Sequence, residues 1–239
     1  MSELMQLPLD VALRDDDRFE NFYIEPHQQA FQAVKQFVTQ QIETVLYLWG
    51  QQGVGKSHLV HAAMEAARDN HRTVLLINQT EDIIALSKTL ERYNQELLLC
   101  LDNFDQLIVQ AAWQEVFFHA FNAVKEQGGQ LLVASRFSPR QLDLQLEDLR
   151  SRMSWGQVYH MSVLSDLDKM RILQFRAKQR GLKIADEVAI YLLNRMPRNM
   201  DDLFQVLVTL DQASIAAQRS ITIPFVKQVF SILASPVRN

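Results

Sequence analysis

The sequence predicts an α/β chain, with a parallel sheet covered by helices on both faces and then a small all-helical domain. Three observations carry this. Short apolar strands alternate with helical periodicity from residue 26 to residue 135. One connecting turn, Gly50-Gln51-Gln52-Gly53-Val54-Gly55-Lys56-Ser57, holds three of the chain's seven glycines between a strand and a helix. After Ser165 the strand pattern stops and only helical spacing remains.

The elements follow in order. Residues 1–18 contain a short apolar patch and then Asp15-Asp16-Asp17, and read as a flexible tail with a solvated acidic linker. Pro26 suits the first turn of a helix, where its missing N–H costs nothing. Ala30, Phe31, Val34, Phe37 and Val38 then recur at helical spacing. Residues 44–49 read as a strand, 73–77 as a second, and 80–93 as a helix. Leu97-Leu98-Leu99-Cys100-Leu101 is apolar throughout, as strands buried on both faces are. Residues 111–127 form a helix that Gly128-Gly129 stops, and 130–135 a fourth strand. Such alternation requires right-handed crossovers and a parallel sheet. Ser165 with Asp168 resembles a capping pair, and Gly181 closes the helix it starts. Residues 186–196, 199–218 and 224–234 read as three further helices. The expected divisions are a tail at 1–18, an α/β domain at 19–163 and a helical domain at 164–239.

Composition narrows the function classes. The 239 residues are 48% apolar and 22% charged, in the range of a folded soluble chain. A net charge of −4 excludes a strongly basic nucleic-acid coat while allowing a local basic patch. A single cysteine, Cys100, permits neither an intramolecular disulfide nor a cysteine-only metal cluster. The N-terminus lacks the apolar stretch of a signal peptide, and no run approaches the ~20 apolar residues of a spanning helix. A cytoplasmic location is the expectation.

The glycine-rich turn matches G-x-x-x-x-G-K-[ST], with a strand before it and a helix after it. Its glycines let successive N–H groups curl inward onto phosphate oxygens, and the helix adds its positive end. Gln52, Gly53, Val54, Gly55, Lys56, Ser57 and His58 are therefore candidate phosphate contacts. Lys56 would supply a point charge to the outer phosphates, and the Ser57 hydroxyl a ligand to Mg2+. Asp102, at the end of the apolar strand, is the candidate carboxylate for a magnesium-bound water, or else a strand-end turn residue. The next residue is Asn103, which cannot take a proton at neutral pH. Binding is thus better supported than efficient hydrolysis by this chain itself. Asp105 is nearby in sequence, without a settled direction.

Phe19-Glu20-Asn21-Phe22, the phosphate loop, LLLCLDNFDQL at 97–107, LLVASRFSPRQL at 131–142, LRSRMSWGQVYHM at 149–161 and ITIPFVKQVF at 221–230 stand in an order that resembles the DnaA-type AAA+ proteins. The resemblance runs from about residue 19 to 234. It implies a P-loop AAA+ core followed by a helical lid. No helix-turn-helix pattern follows the lid, so the likeness is nearest to the short homologue that mediates regulatory inactivation of DnaA. That homologue's family role implies an ADP-bound module that docks on the DNA-loaded polymerase sliding clamp and stimulates ATP hydrolysis by DnaA.

The resemblance also assigns residues. Gln6-Leu7-Pro8-Leu9 is similar to the clamp-binding peptide, with Gln6, Leu7 and Leu9 as its contacts, although Asp10 stands where an apolar residue is common. An extended segment can place two leucines in an apolar groove while the amide fixes orientation. Arg152 aligns with the arginine finger that acts in trans. Ser135 falls where the family has a polar sensor facing the γ-phosphate; a strand-end hydroxyl bonded to backbone is the equal alternative. In the lid, Asp201 occupies the expected place of a second sensor arginine, with Arg198 nearby, and an acid there favours a diphosphate. Phe22, Tyr23 and Ile24 would border the base. The phosphates are better specified than adenine. Self-association through the same face, as a homodimer or larger, is a further implication.

His58 and His61 have no third ligand in reach in sequence, and their side chains read as packing or solvent groups. Trp49, Trp113 and Trp155 read as core or interface anchors rather than a nucleic-acid stacking platform. Two rivals to a regulatory binding protein are a self-contained ATPase, such as a motor or helicase loader, and a sequence-specific DNA-binding initiator. Asn103 and Asp201 weigh against the first, the acidic net charge and missing helix-turn-helix against the second.

Overall fold

The structure, a computed structural model, describes residues 17–234 except 42, 81, 82, 84, 85, 87–96, 197 and 198. The clamp-binding peptide, Asp15, Asp16 and Arg198 lie outside the described residues. So does most of the helix expected at 80–93; within it Ile83 and Leu86 are helical and buried.

Contacts divide the chain into two compact units between Met161 and Ser162. The first is built on a five-stranded sheet: β1 (Val45–Trp49), β2 (Thr73–Ile77), β3 (Leu97–Leu101), β4 (Gln130–Ser135) and β5 (Gln157–His160). Every pairing is parallel, in the order β2-β3-β4-β1-β5. Among the described residues, the α-helices with defined bounds are α1 (Gln28–Gln40), α2 (Lys56–Asp69), the short α3 (Phe104–Leu107), α4 (Ala111–Glu126) and α5 (Glu147–Met153).

Alternate strand residues feed two separate cores, because successive side chains leave opposite faces of a strand. Leu46 and Leu48 of β1, Leu98 and Cys100 of β3, and Leu132 and Ala134 of β4 pack with α1 and α2. Val45, Tyr47, Leu97, Leu99, Leu101, Leu131 and Val133 pack with α3, α4 and α5. The sheet is therefore covered on both faces, as the apolar strands demand. Burial raises the pKa of the Cys100 thiol well above its ordinary value, so it behaves as an inert core group.

The sequence reading omitted β5. Its four residues alternate weakly, and Gln157, Val158 and His160 are exposed at the sheet edge. What secures it is pairing with β1, from Leu46 opposite Gln157 to Trp49 opposite His160. Gly156 leads into this strand, and a Cβ there would sit 2.0 Å from the Val45 carbonyl oxygen. Gly156→Ala is expected to cost about 3 kcal/mol of stability through overpacking against backbone. A urea titration followed by circular dichroism checks this; an unchanged midpoint would contradict it.

The second unit contains α6 (Asp166–Gln179), α7 (Asp186–Arg195), α8 (Met200–Ala217) and α9 (Ile223–Ala234) around their own apolar cluster. Ser165 and Asp168 form the reciprocal capping box that starts α6. The Asn199 side chain caps α8 by accepting the Asp202 N–H at 2.8 Å. Asp201 is exposed in the first turn of that helix, where an acid complements the helix dipole.

Candidate functional site

The phosphate loop connects β1 to α2 along the C-terminal edge of the sheet. Gly50 N–H donates to the Ser135 carbonyl at 3.2 Å, which ties the loop to the end of β4. Gly55 closes the loop with φ +101°, a conformation that other residues rarely adopt. A Cβ there would also lie 3.0 Å from the Phe22 ring. The first N–H groups of α2 have no intrahelical acceptors, so they are available to an anion.

Lys56, the first residue of α2, is 7% exposed. Its Nζ donates to the carbonyls of Gly50 and Gln51, both at 2.8 Å. Burial lowers its pKa, against the opposing pull of Asp102 and then Asp105. Asp102 is also buried, and its carboxylate accepts the Asn103 N–H at 2.9 Å. Asn103 adopts a left-handed conformation at the start of α3, with φ +53°. Asparagine tolerates this better than most residues.

That turn aims Asp105 back at the end of β4. Its carboxylate accepts from the Ser135 hydroxyl at 3.1 Å, the Arg136 N–H at 2.9 Å and Arg136 Nε at 2.6 Å. Burial alone would raise the Asp105 carboxyl. The bonds from Arg136 and Ser135 outweigh it and hold the group below the ordinary carboxylate value. Ser135 is fully buried and accepts the Phe137 N–H at 3.2 Å. Beneath it the Tyr47 hydroxyl donates to the Phe137 carbonyl at 2.9 Å. Sequence reasoning did not single out Arg136; an arginine directly after a strand-end serine was the available signal.

The segment before α1 supports the loop from below. Phe22 stacks on Phe31 with centroids 5.6 Å apart, and meets the His58 ring edge-on at 5.2 Å. Its side chain belongs to the core, 6% exposed, while Ile24 is exposed and Tyr23 donates to Glu25 at 2.6 Å. Asp17 departs from the solvated-linker expectation. Its carboxylate lies 3.3 Å from His58 Nδ1 and 3.0 Å from His61 Nδ1. His58 Nε2 also meets the Arg18 carbonyl at 2.9 Å. The two histidines thus anchor residues 17–18 to α2, beyond the packing or solvent role expected of them. Among the described residues no group of three or more His, Cys, Asp or Glu side chains is placed to hold a metal. Ser57 and Asp102 still suit Mg2+, which takes few protein oxygens and fills its shell with phosphate and water.

Arg152 lies elsewhere. It is carried by α5, in the layer opposite α2, and its guanidinium rests 4.1 Å over the Phe118 ring. Phe121 at 5.3 Å and the exposed Trp155 at 5.9 Å complete an aromatic platform. Arg150 is held differently, donating to the Leu144 carbonyl at 2.6 Å. Of the tryptophans, Trp49 is partly buried and stacks on His160 at 4.0 Å, Trp113 packs on the second core, and Trp155 is 61% exposed.

A model of the bacterial DnaA ATPase domain matches residues 13–160, more than half of the chain. The chain belongs to the DnaA-type AAA+ family. A model of the Hda lid domain matches residues 166–230, which places this DnaA-type protein close to Hda. A Haemophilus influenzae protein described as uncharacterised is 36% identical over 228 residues, covering 95% of this chain and 99% of its own length. Domain III of the Thermotoga maritima replication initiation protein DnaA has a TM-score of 0.76 at 19% identity, covering 92% of this chain and 98% of that one. AMPPCP-bound DnaA from Aquifex aeolicus has a TM-score of 0.70 at 24% identity, over 83% of this chain and 66% of that one. These two likenesses establish the AAA+ fold.

Proposed function

We propose that this protein is a regulatory inactivator of the replication initiator DnaA. It holds ADP with Mg2+ in its own loop, docks on the DNA-loaded sliding clamp through Gln6, Leu7 and Leu9, and presents Arg152 to ATP bound by DnaA. Re-initiation is thereby prevented. The observation that carries this reading is the separation of two half-sites. The loop, Lys56 and Asp102 stand together on one edge, whereas Arg152 sits in the opposite layer beside an exposed tryptophan.

Within the nucleotide site, loop N–H groups and the α2 terminus bind the phosphates. Ser57 and Asp102 would hold Mg2+, which neutralises phosphate charge when bound. Asn103 offers no base to an attacking water, so turnover by this chain is slow and the diphosphate persists. Across the contact with DnaA, the planar guanidinium of Arg152 stabilises charge developing on the γ-phosphate. The segment that borders the base is 22–24, through its backbone and the exposed Ile24, since the Phe22 ring is packed in the core. Self-association brings the same Arg152 face against a second copy.

Substituting Gln6, Leu7 and Leu9 together with alanine is expected to release the clamp while nucleotide affinity stays unchanged. Surface plasmon resonance on immobilised clamp checks this, and retained clamp affinity would discard the docking peptide. A steady-state turnover near 1 s⁻¹ or faster by the isolated chain would instead favour a self-contained ATPase.

A further inference from the structure

Asp105 is a buried carboxylate beside the phosphate loop that the proposed chemistry leaves unused. We infer that Asp105 is a specificity-determining residue that makes the loop favour a nucleoside diphosphate over a triphosphate. This deepens the nucleotide-binding reading above and rests on it.

Sheet topology puts Asp105 there. β4 lies between β3 and β1, and Ser135 pairs with Trp49, the residue before the loop. Gly50 N–H bonds to the Ser135 carbonyl, so the residue whose hydroxyl meets Asp105 is tied through its backbone to the first residue of the loop.

Two consequences act on an outermost phosphate. A serine hydroxyl has one proton, and Ser135 directs it to Asp105 at 3.1 Å. Its oxygen meanwhile accepts the Phe137 N–H at 3.2 Å. Ser135 therefore has no proton left for a terminal phosphate unless its bond to Asp105 breaks. The second consequence is charge. The Asp105 side chain is 4% exposed, while that of its counterion Arg136 is 47% exposed. The negative end of the pair is buried and the positive end faces water, where it is better screened.

Lys56 is the side chain that meets the outer phosphates, whereas loop N–H groups hold the inner ones in either nucleotide. A third phosphate brings added negative charge toward the buried Asp105 carboxylate, whose counterion is turned to water. The penalty falls on the triphosphate, and a diphosphate largely escapes it. Asn103 limits hydrolysis; Asp105 acts earlier, on which nucleotide is held.

The test is titration calorimetry on the full chain with Mg-ADP and Mg-AMPPCP, for wild type, Asp105→Asn and Arg136→Gln. Asp105→Asn is expected to shift the ratio of the two dissociation constants toward AMPPCP by about tenfold. Arg136→Gln removes the counterion and is expected to shift it toward ADP. A merely structural role would weaken both ligands together and leave the ratio unmoved, which would overturn the inference, as would shifts of the opposite sign. If Asp105→Asn fails to fold by circular dichroism, Arg136→Gln decides by the same criterion. A wild-type chain that binds neither nucleotide overturns the parent reading and this one with it. Binding of both with a ratio indifferent to these residues overturns this one alone.

Discussion

Arg152→Ala is expected to abolish stimulated ATP hydrolysis by DnaA, with a loss of about 10³–10⁵ in rate, while nucleotide and clamp binding stay near wild type. The size follows from what a guanidinium does in a water-poor contact. It spreads fixed positive charge over an oxygen array whose charge grows in the transition state. The selectivity follows from the fold. Arg152 is on α5, packed with α4 on one face of the sheet, and the phosphate loop leads into α2 on the other. Among the described residues, neither the Lys56 bonds to Gly50 and Gln51 nor the Asp102 bond to Asn103 involves Arg152. Arg152→Lys should rescue poorly, because an ammonium lacks the planar fork. It also stacks less well on the Phe118 ring, which the guanidinium covers at 4.1 Å. Single-turnover release of labelled phosphate from ATP-loaded DnaA is the readout. Stimulation that survives Arg152→Ala would remove the finger from the mechanism.

Lys56→Ala is expected to weaken ADP binding by at least about 100-fold. The lysine does two things at once. Its ammonium would meet the outer phosphates of a bound nucleotide, and its Nζ bonds to the Gly50 and Gln51 carbonyls hold the loop's entry in place. Alanine removes the charge and leaves two carbonyls without that donor. The buried carboxylate Asp102 then meets incoming phosphates with less cationic compensation, so repulsion adds to the loss. The apolar cores do not include Lys56, so the melting transition of the ligand-free chain should move far less than the affinity. Titration with a fluorescent ADP analogue measures the effect. Affinity within a factor of three of wild type would contradict the placement of phosphates on this loop.

Much of the fold was legible in the sequence because its strands are extreme. Leu97–Leu101 is apolar at every position, which only a strand covered on both faces supports. The capping box at Ser165 and Asp168 likewise announced α6 from side-chain chemistry alone. β5 escaped because an edge strand of four residues draws its order from its partner β1, and its own residues stay mostly exposed. The loop was legible for a similar reason, since its glycines have a conformational cause that any sequence must respect. The network around Asp105 was not. Its direction is set by the left-handed turn at Asn103, and its partners Ser135 and Arg136 stand thirty residues away on the neighbouring strand. The aromatic seat of Arg152 was hidden in the same way. Phe118 and Phe121 share a face of α4, and only packing of α5 brings Arg152 over them. Asp17 was misread because a carboxylate's burial depends on its partners; here they are two histidines more than forty residues away.

The measurement that bears most directly on the account is a two-label experiment. DnaA is loaded with ATP carrying one γ-phosphate label, this protein is offered ATP carrying another, and both are mixed with clamp on DNA. Free phosphate is then followed by label. The account predicts a burst from the DnaA-bound pool that requires this protein, with almost none from its own. Release confined to the nucleotide on this chain, with the DnaA-bound label untouched, would contradict it.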